Sequence, residues 1–223
     1  MEPCKPAVRH LRRYTNLPSA IDVLLHKRLT LLDPSRWDDK NDASFLAEYK
    51  KQVAAKALLA LCFTKSSETY HHWRTYSYGP DGVCFEFDDE ALLDGIDRQN
   101  EGIIVGDAIY LEIGQLEKSL PSRDQLPFVK RYPYLGENEV RMIHVNKKKA
   151  VTAKHLPITL EAIRRVKLSP WMHKDLAKTV ASALRTVAGA PQLEIYQSKL
   201  IDYPRWKNAI TRNDKHQVSD RRL

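Results

Sequence analysis

Residues Phe128 to Val145 read FVKRYPYLGENEVRMIHV, and the way the last nine of them are paired decides the architecture. Taken as a strand from Glu137 to Val145, side chains alternate between two faces with period two. Asn138, Val140, Met142 and His144 fall on one side. Glu137, Glu139, Arg141, Ile143 and Val145 fall on the other. Two carboxylates and a guanidinium are thereby stacked on one face, directly after a Tyr-Pro-Tyr-Leu-Gly turn. Lone charges on an edge strand usually face water. A cleft that holds like-charged carboxylates together for chemistry is the competing reading.

Working outward, the 223-residue chain suits one large domain with a terminal extension. We divide it into an α+β domain over residues 1–204 and a basic tail over 205–223. With 43% hydrophobic and 29% charged residues the composition is that of an ordinary globular protein. No apolar run approaches the roughly 20 residues of a membrane span, and MEPCKPAVRHLRR lacks the apolar core of a signal peptide. Cys4, Cys62 and Cys84 are odd in number and form no C-x-x-C pair. That pattern indicates reduced thiols in a cytoplasmic protein and no zinc site. The net charge of +8 suggests a polyanionic partner, against the plainer reading of a solvated basic surface. Residues 205–223 supply about half of it, with six Lys/Arg against two Asp, and Lys147 to Lys149 add a second basic run.

Periodicity and turn residues predict the elements. Leu11–Thr15 reads as a strand, and Ser19 with Asp22 as a helix start. Arg28–Leu32 reads as extended, followed by an Asp-Pro-Ser turn and an acidic loop, Trp37 to Asp42. A helix is expected over Ala43–Lys56, with Phe45, Leu46, Tyr49 and Val53 as its buried stripe. The continuous apolar run Ala57–Phe63 predicts a central strand. Ser66 or Ser67 is positioned to cap a helix carrying Tyr70, His71, His72, Trp73 and Tyr76. Strands are expected over Val83–Phe87 and Ile103–Leu111, with a helical turn over Asp88–Leu93 between them. A surface helix and loop fill Gly114–Pro127. Ile158–Leu160 and Ala162–Leu168 read as extended, and Leu193–Gln197 as a last strand. Between them a helix from Pro170 to about Ala188 carries Leu176, Val180, Leu184 and Val187 as its buried stripe. His71-His72 lacks the i, i+4 spacing of a metal pair, and no glycine-cradled phosphate motif is present.

The order of these motifs resembles a bacterial family known as a domain of unknown function. The matching residues are Arg13-Tyr14-Thr15, Trp37 to Asp42, Cys62-Phe63-Thr64, Trp73-Arg74-Thr75-Tyr76, Gly82 to Phe87, Lys130, Glu137 to Arg141, Ser169-Pro170 and Ser198. Ser169 departs from the glycine common at that place. That family in turn looks like a distant relative of the mono-ADP-ribosyltransferases, through Arg13, Thr64 or Ser66, and Glu137-x-Glu139. Phe-Thr-Lys-Ser replaces their Ser-Thr-Ser, and the helix with Trp73 and Tyr76 is an addition. The resemblance implies a mixed, mostly antiparallel split sheet flanked by helices, and an enzyme that uses NAD as a substrate. It implies a toxin or phage-defence effector acting on protein or nucleic acid. In that reading Glu139 steadies positive charge developing on the ribose, and Glu137 orients or deprotonates the acceptor. Arg13 binds the pyrophosphate. Tyr14, Thr15 and Ser66 belong to the cofactor site, and Trp73 or Tyr76 stacks on a ring. Arg13, Tyr76, Glu137 and Glu139 are expected to converge on one cleft. The bland alternatives are that Arg13 merely pairs with a glutamate, that Trp73 is core, and that Ser66 is a helix cap. The rival function is a non-catalytic nucleotide or nucleic-acid binding module on the same fold.

Overall fold

The computed structural model describes residues 10–77, 79–96 and 101–209. Within them the chain runs β1 (His10–Asn16), α1 (Leu17–His26), β2 (Arg28–Leu32), α2 (Lys40–Gln52), β3 (Ala57–Thr64), α3 (Tyr70–Tyr76), β4 (Gly82–Asp88) and α4 (Asp89–Asp94). It continues with β5 (Ile103–Asp107), β6 (Ile109–Leu111), α5 (Ile113–Lys118), β7 (Val129–Arg131), β8 (Glu139–Asn146), β9 (Ala153–Pro157), β10 (Ile163–Leu168), α6 (Lys174–Ala188) and β11 (Ile195–Gln197). Nine strands form one sheet in the order β11-β10-β4-β1-β3-β2-β9, with β8 and then β5 continuing from β3. All its pairings are antiparallel except β10 with β11. The fold is therefore α+β, with a mixed and mostly antiparallel sheet flanked by helices.

The sheet forks at β3. One edge of β3 is occupied along its whole length by β8, from Ala57↔Asn146 to Thr64↔Glu139. The other edge is shared: β1 touches it only at Arg12↔Thr64, and β2 only at Leu32↔Ala60. β1 instead pairs with β4 from His10↔Asp88 to Asn16↔Gly82. Where β1 leaves β3, a backbone carbonyl would lack its ladder donor, which is costly in a buried place. The Arg13 guanidinium supplies one, donating from Nη1 to the Cys62 carbonyl oxygen at 3.0 Å.

One face of the sheet carries the main core, covered by α1 and α6. The other carries α2, with Leu46 and Tyr49 against Leu58, Ala60 and Ile143. On that same face α3 packs Trp73 against Tyr14 and Cys84. Between α2 and α3 the covering is polar, and the candidate site lies there.

Several expectations need correcting. α2 begins at Lys40 because Asp39 caps it, accepting from Asn41 N and Asp42 N. α1 is capped by Asn16, and Asp22 pairs with Arg28. α3 is capped by Thr69, so Ser66 is not a cap. The strand expected over Ile103–Leu111 is two: β5 follows β8 as far as Asp107↔Val140, with a last in-register bond from Ala108 N to Glu139 O at 2.9 Å. Beyond it β6 pairs with β7 in a separate two-stranded parallel sheet. Residues 158–160 are not a strand; the extended segment before β10 is Ala153–Pro157, on the edge of β2. α6 starts at Lys174, capped by His173, and its buried side is Ala177, Ala181, Leu184 and Ala188. Leu176 is 54% exposed. α6 crosses α1 closely, so the alanine stripe faces inward and the larger residues beside it are left at the margin. Of the expected tail, 210–223 lies outside the described residues, and 204–209 is helical and exposed.

Candidate active site

The decisive strand begins one pleat later than the alternation predicts. Tyr132–Glu137 is a 3-10 helix, and Asn138 at φ 44° is left-handed, a conformation asparagine tolerates better than most residues. β8 then starts at Glu139. Glu137 is thus no strand residue, yet the turn swings it back beside Glu139. The Lys130 ammonium joins them, donating to Glu139 Oε2 at 2.7 Å and to Glu137 Oε2.

Arg141, two residues along β8, closes on Glu139 from the other side. Its Nε donates to Oε1 at 2.8 Å and its Nη2 to Oε2 at 3.2 Å. The same guanidinium reaches Asp42 Oδ2 at 2.6 Å and the Pro127 carbonyl at 3.0 Å. All five side chains are buried: Arg141 0% exposed, Asp42 3%, Glu137 and Glu139 5%, Lys130 8%. Removing these charges from water is costly, and mutual neutralisation offsets it. Burial alone would raise the Glu139 carboxyl, but the charges and hydrogen bonds of Arg141 and Lys130 outweigh it and hold the pKa at about 2. Burial would lower Lys130, and the two glutamates instead raise it. Asp42 goes the other way: burial pushes it up despite Arg141, and its Oδ1 is buried with no hydrogen-bond partner among the described residues.

Neighbouring side chains and backbone groups fix the turn. Thr64 Oγ1 donates to the Glu137 carbonyl and accepts from Ser66 N at 3.0 Å. Ser66 Oγ donates to the Gly136 carbonyl at 3.3 Å, and Arg12 Nη1 to the Ser66 carbonyl at 2.8 Å. Tyr110 Oη accepts from Glu139 N at 2.9 Å. Tyr76 is half-buried; burial first, then the charge and hydrogen bond of Glu137, raise its phenol above the usual range. Cys62 is likewise pushed up by burial and by Glu139, so its thiol stays neutral.

The structure therefore gathers Ser66, Tyr76, Glu137 and Glu139 in one place. Arg13 and Thr15 are not there. Arg12, Thr64 and Glu139 are paired across three strands and so share a face; Arg13 and Thr15 lie one and three residues from Arg12 along β1 and so point to the opposite face, toward the main core. Arg13 pairs with neither glutamate, since its guanidinium is taken by the fork. Tyr14 is on the correct face but buried, stacked on His72 at 5.4 Å and edge-on to Trp73 at 5.1 Å. Trp73 is 0% exposed, with its indole N–H donated to Glu68 Oε1 at 2.8 Å, so it is a core residue and not a stacking platform. The sequence reading missed Arg12, Asp42 and Lys130 as members. Asp42 left a signal: it heads the α2 stripe of Leu46 and Tyr49 at i+4 and i+7, where a carboxylate is out of place unless paired.

No protein-family model matches the sequence, and no curated protein matches it. Among solved structures the chain is similar to Thermus sp. 2.9 DarT in complex with carba-NAD+, at 12% identity and TM-score 0.44, over 87% of this chain and 97% of that one. It is similar to the same protein in complex with ADP-ribosylated ssDNA, at 12% identity and TM-score 0.44, over 89% and 98%. The complex with NAD+ gives 11% identity and TM-score 0.43, over 88% and 98%. A likeness of this size carries neither reaction nor ligand across. Among the described residues no group of three or more His, Cys, Asp or Glu is placed to hold a metal ion, and no helix is long and apolar enough to cross a membrane.

Proposed function

We propose that the chain is an ADP-ribosyltransferase-like enzyme that takes NAD as substrate and passes ADP-ribose to a nucleic-acid or protein acceptor, as a toxin or phage-defence effector would. The observation that carries this reading is the single Lys130 ammonium shared by Glu137 and Glu139 at the forked end of β3. Transfer breaks the ribose–nicotinamide bond, whose electron pair leaves with nicotinamide, and the ribose C1 becomes oxocarbenium-like before the acceptor bonds to it. A carboxylate held in a dry, fixed place stabilises that charge. Arg141 and Lys130 together occupy Glu139, whereas among the described residues Glu137 has Lys130 and the Tyr76 phenol. We therefore assign Glu137 to the reacting centre and Glu139 to positioning it, through the lysine they share. Ser66 and Tyr76 border the same turn and are the residues offered to NAD; Arg12 shares their face, with its guanidinium held by Glu86 Oε2 at 3.0 Å and the Ser66 carbonyl at 2.8 Å.

The test is nicotinamide release from NAD, with and without single-stranded DNA or a basic protein as acceptor. Glu137→Gln keeps shape and loses charge; turnover should fall by two to three orders of magnitude, the ~3 kcal/mol typical of such groups. NAD affinity should change little, since the lost interaction belongs to the transition state. Equal turnover in Glu137→Gln and wild type would remove the role.

A second reading has its own support: the closure of Glu139 by two cations is also what a purely structural network requires. A non-catalytic nucleotide or nucleic-acid binding module would then bind in a salt-sensitive way without NAD turnover by any acceptor tried.

A further inference from the structure

β10 carries two adjacent arginines, and a β-bulge turns both to one face. Ile163 pairs with Phe87 and Arg165 with Glu86, so Arg164 is the extra residue on β10. Ile163, Val166 and Leu168 all enter the main core, which strict alternation could not achieve. The bulge absorbs the mismatch and brings Arg164 and Arg165 to the same oxygen, Glu86 Oε1, with their Nε atoms at 3.9 and 3.6 Å. Arg12 Nε donates to Glu86 Oε2 at 3.0 Å, and Lys167 Nζ lies 3.8 Å from it. Four cations thus surround one carboxylate. Glu86 is matched by Arg12, and Glu68 by Lys167, whose Nζ donates to its Oε2 at 2.8 Å. Arg164 and Arg165 remain as positive excess. Among the described residues the further carboxylate within ion-pair reach of them is Glu194, whose side chain is 53% exposed and so well screened by water. Both guanidinium groups are held in place, Arg164 Nη1 donating to His10 Nε2 at 3.1 Å and Arg165 Nη1 to Tyr196 Oη at 3.4 Å. Their Nη2 groups meet no acceptor among the described residues, and their side chains are 41% and 26% exposed.

We infer that the bulge is a binding site for a phosphomonoester, the terminal phosphate of a nucleotide or of a nucleic-acid strand. Such a group carries about −1.5 to −2 charge near pH 7 and three acceptor oxygens, which matches two uncompensated guanidinium groups. Guanidinium forks fit phosphate oxygens closely. A phosphodiester inside a strand carries a single charge and matches half as well. The inference stands apart from the transfer reading, because it needs binding and no turnover.

The experiment is calorimetric titration of the full chain at low salt with two pairs of probes. One pair is AMP and adenosine; the other is a short oligothymidine with a 5′-phosphate or a 5′-hydroxyl. In at least one pair the phosphorylated member should bind about tenfold or more tightly, the worth of a charge-assisted hydrogen bond. The pair that discriminates names the source of the phosphate. Arg164→Gln with Arg165→Gln should erase the preference at an unchanged unfolding temperature. Lys147, Lys148 and Lys149 are exposed just past the other end of β8 from Glu139. Changing all three to Gln removes more charge and should leave the preference in place, which separates a built site from general attraction. Should the double variant not fold, Arg164→Gln alone, at a side chain 41% exposed, should still weaken the phosphorylated probe about fivefold. Equal binding within both pairs, a preference untouched by the arginine changes, or one lost equally in the lysine variant would each overturn the assignment.

Discussion

Arg141 is the residue on which most of the site's charges depend. It is 0% exposed and holds Glu139, Asp42 and the Pro127 carbonyl together. Arg141→Ala leaves buried carboxylates without their cation and should cost about 3–5 kcal/mol of unfolding free energy in a urea titration. A loss below about 1 kcal/mol, typical of exposed pairs, would mean that the network is not closed as described. Acid should act through Glu139. Its folded pKa of about 2 lies below the ordinary 4.5, so the native state favours the charged form. The stability this contributes is fully present above pH 4.5 and is lost as pH falls toward 2. At about 1.4 kcal/mol per pKa unit the effect is roughly 3 kcal/mol, set against Asp42, which burial has shifted the other way. Urea unfolding at a series of pH values should show this slope in wild type and a flatter one in Glu139→Gln.

At the scale of an element, α6 shows how a helix's inward side depends on the helix it meets. Small residues at Ala177, Ala181 and Ala188 let it approach α1, and Leu184 fills the space between. Enlarging Ala181 to Leu should therefore destabilise by about 1–3 kcal/mol through overpacking. Leu176→Ala, at a site 54% exposed, should stay within about 0.5 kcal/mol. Thermal unfolding of the two variants checks the assignment, and the reverse order would restore the stripe expected from Leu176. β8 makes a parallel point. Alternation placed Glu137 and Glu139 together for the wrong reason: the left-handed Asn138 breaks the strand, and the turn restores their proximity through Lys130.

For the molecule as a whole, the +8 charge bears on association more than on fold. If nucleic acid is the acceptor, log affinity for single-stranded DNA should fall linearly with log salt, by about 0.7 per phosphate neutralised. A flat dependence would turn attention to protein acceptors. NAD binding should raise the unfolding temperature of the intact chain, since a ligand at a hundred times its dissociation constant adds about 2.7 kcal/mol to the native state. Glu137→Gln should keep that shift, because binding and turnover draw on different interactions.

The chain's own pattern determined that strands and helices would mix in an α+β arrangement, that Ala57–Phe63 would be central, and that Glu137, Glu139 and Arg141 would lie together. Apolar runs, turn residues and charges set among buried neighbours are local signals, and local signals survive in one dimension. What only the tertiary structure decided is which charges meet. Whether Arg12 or Arg13 faces Glu139 turns on a single registered pair, Arg12↔Thr64, and a one-residue offset moves a side chain to the other face. Asp42 and Arg141 lie 99 positions apart, and no periodicity within either segment encodes that α2 will lie across β8. Their meeting is set by how the sheet forks and which face each helix covers, a property of the packed molecule and not of any stretch of its sequence.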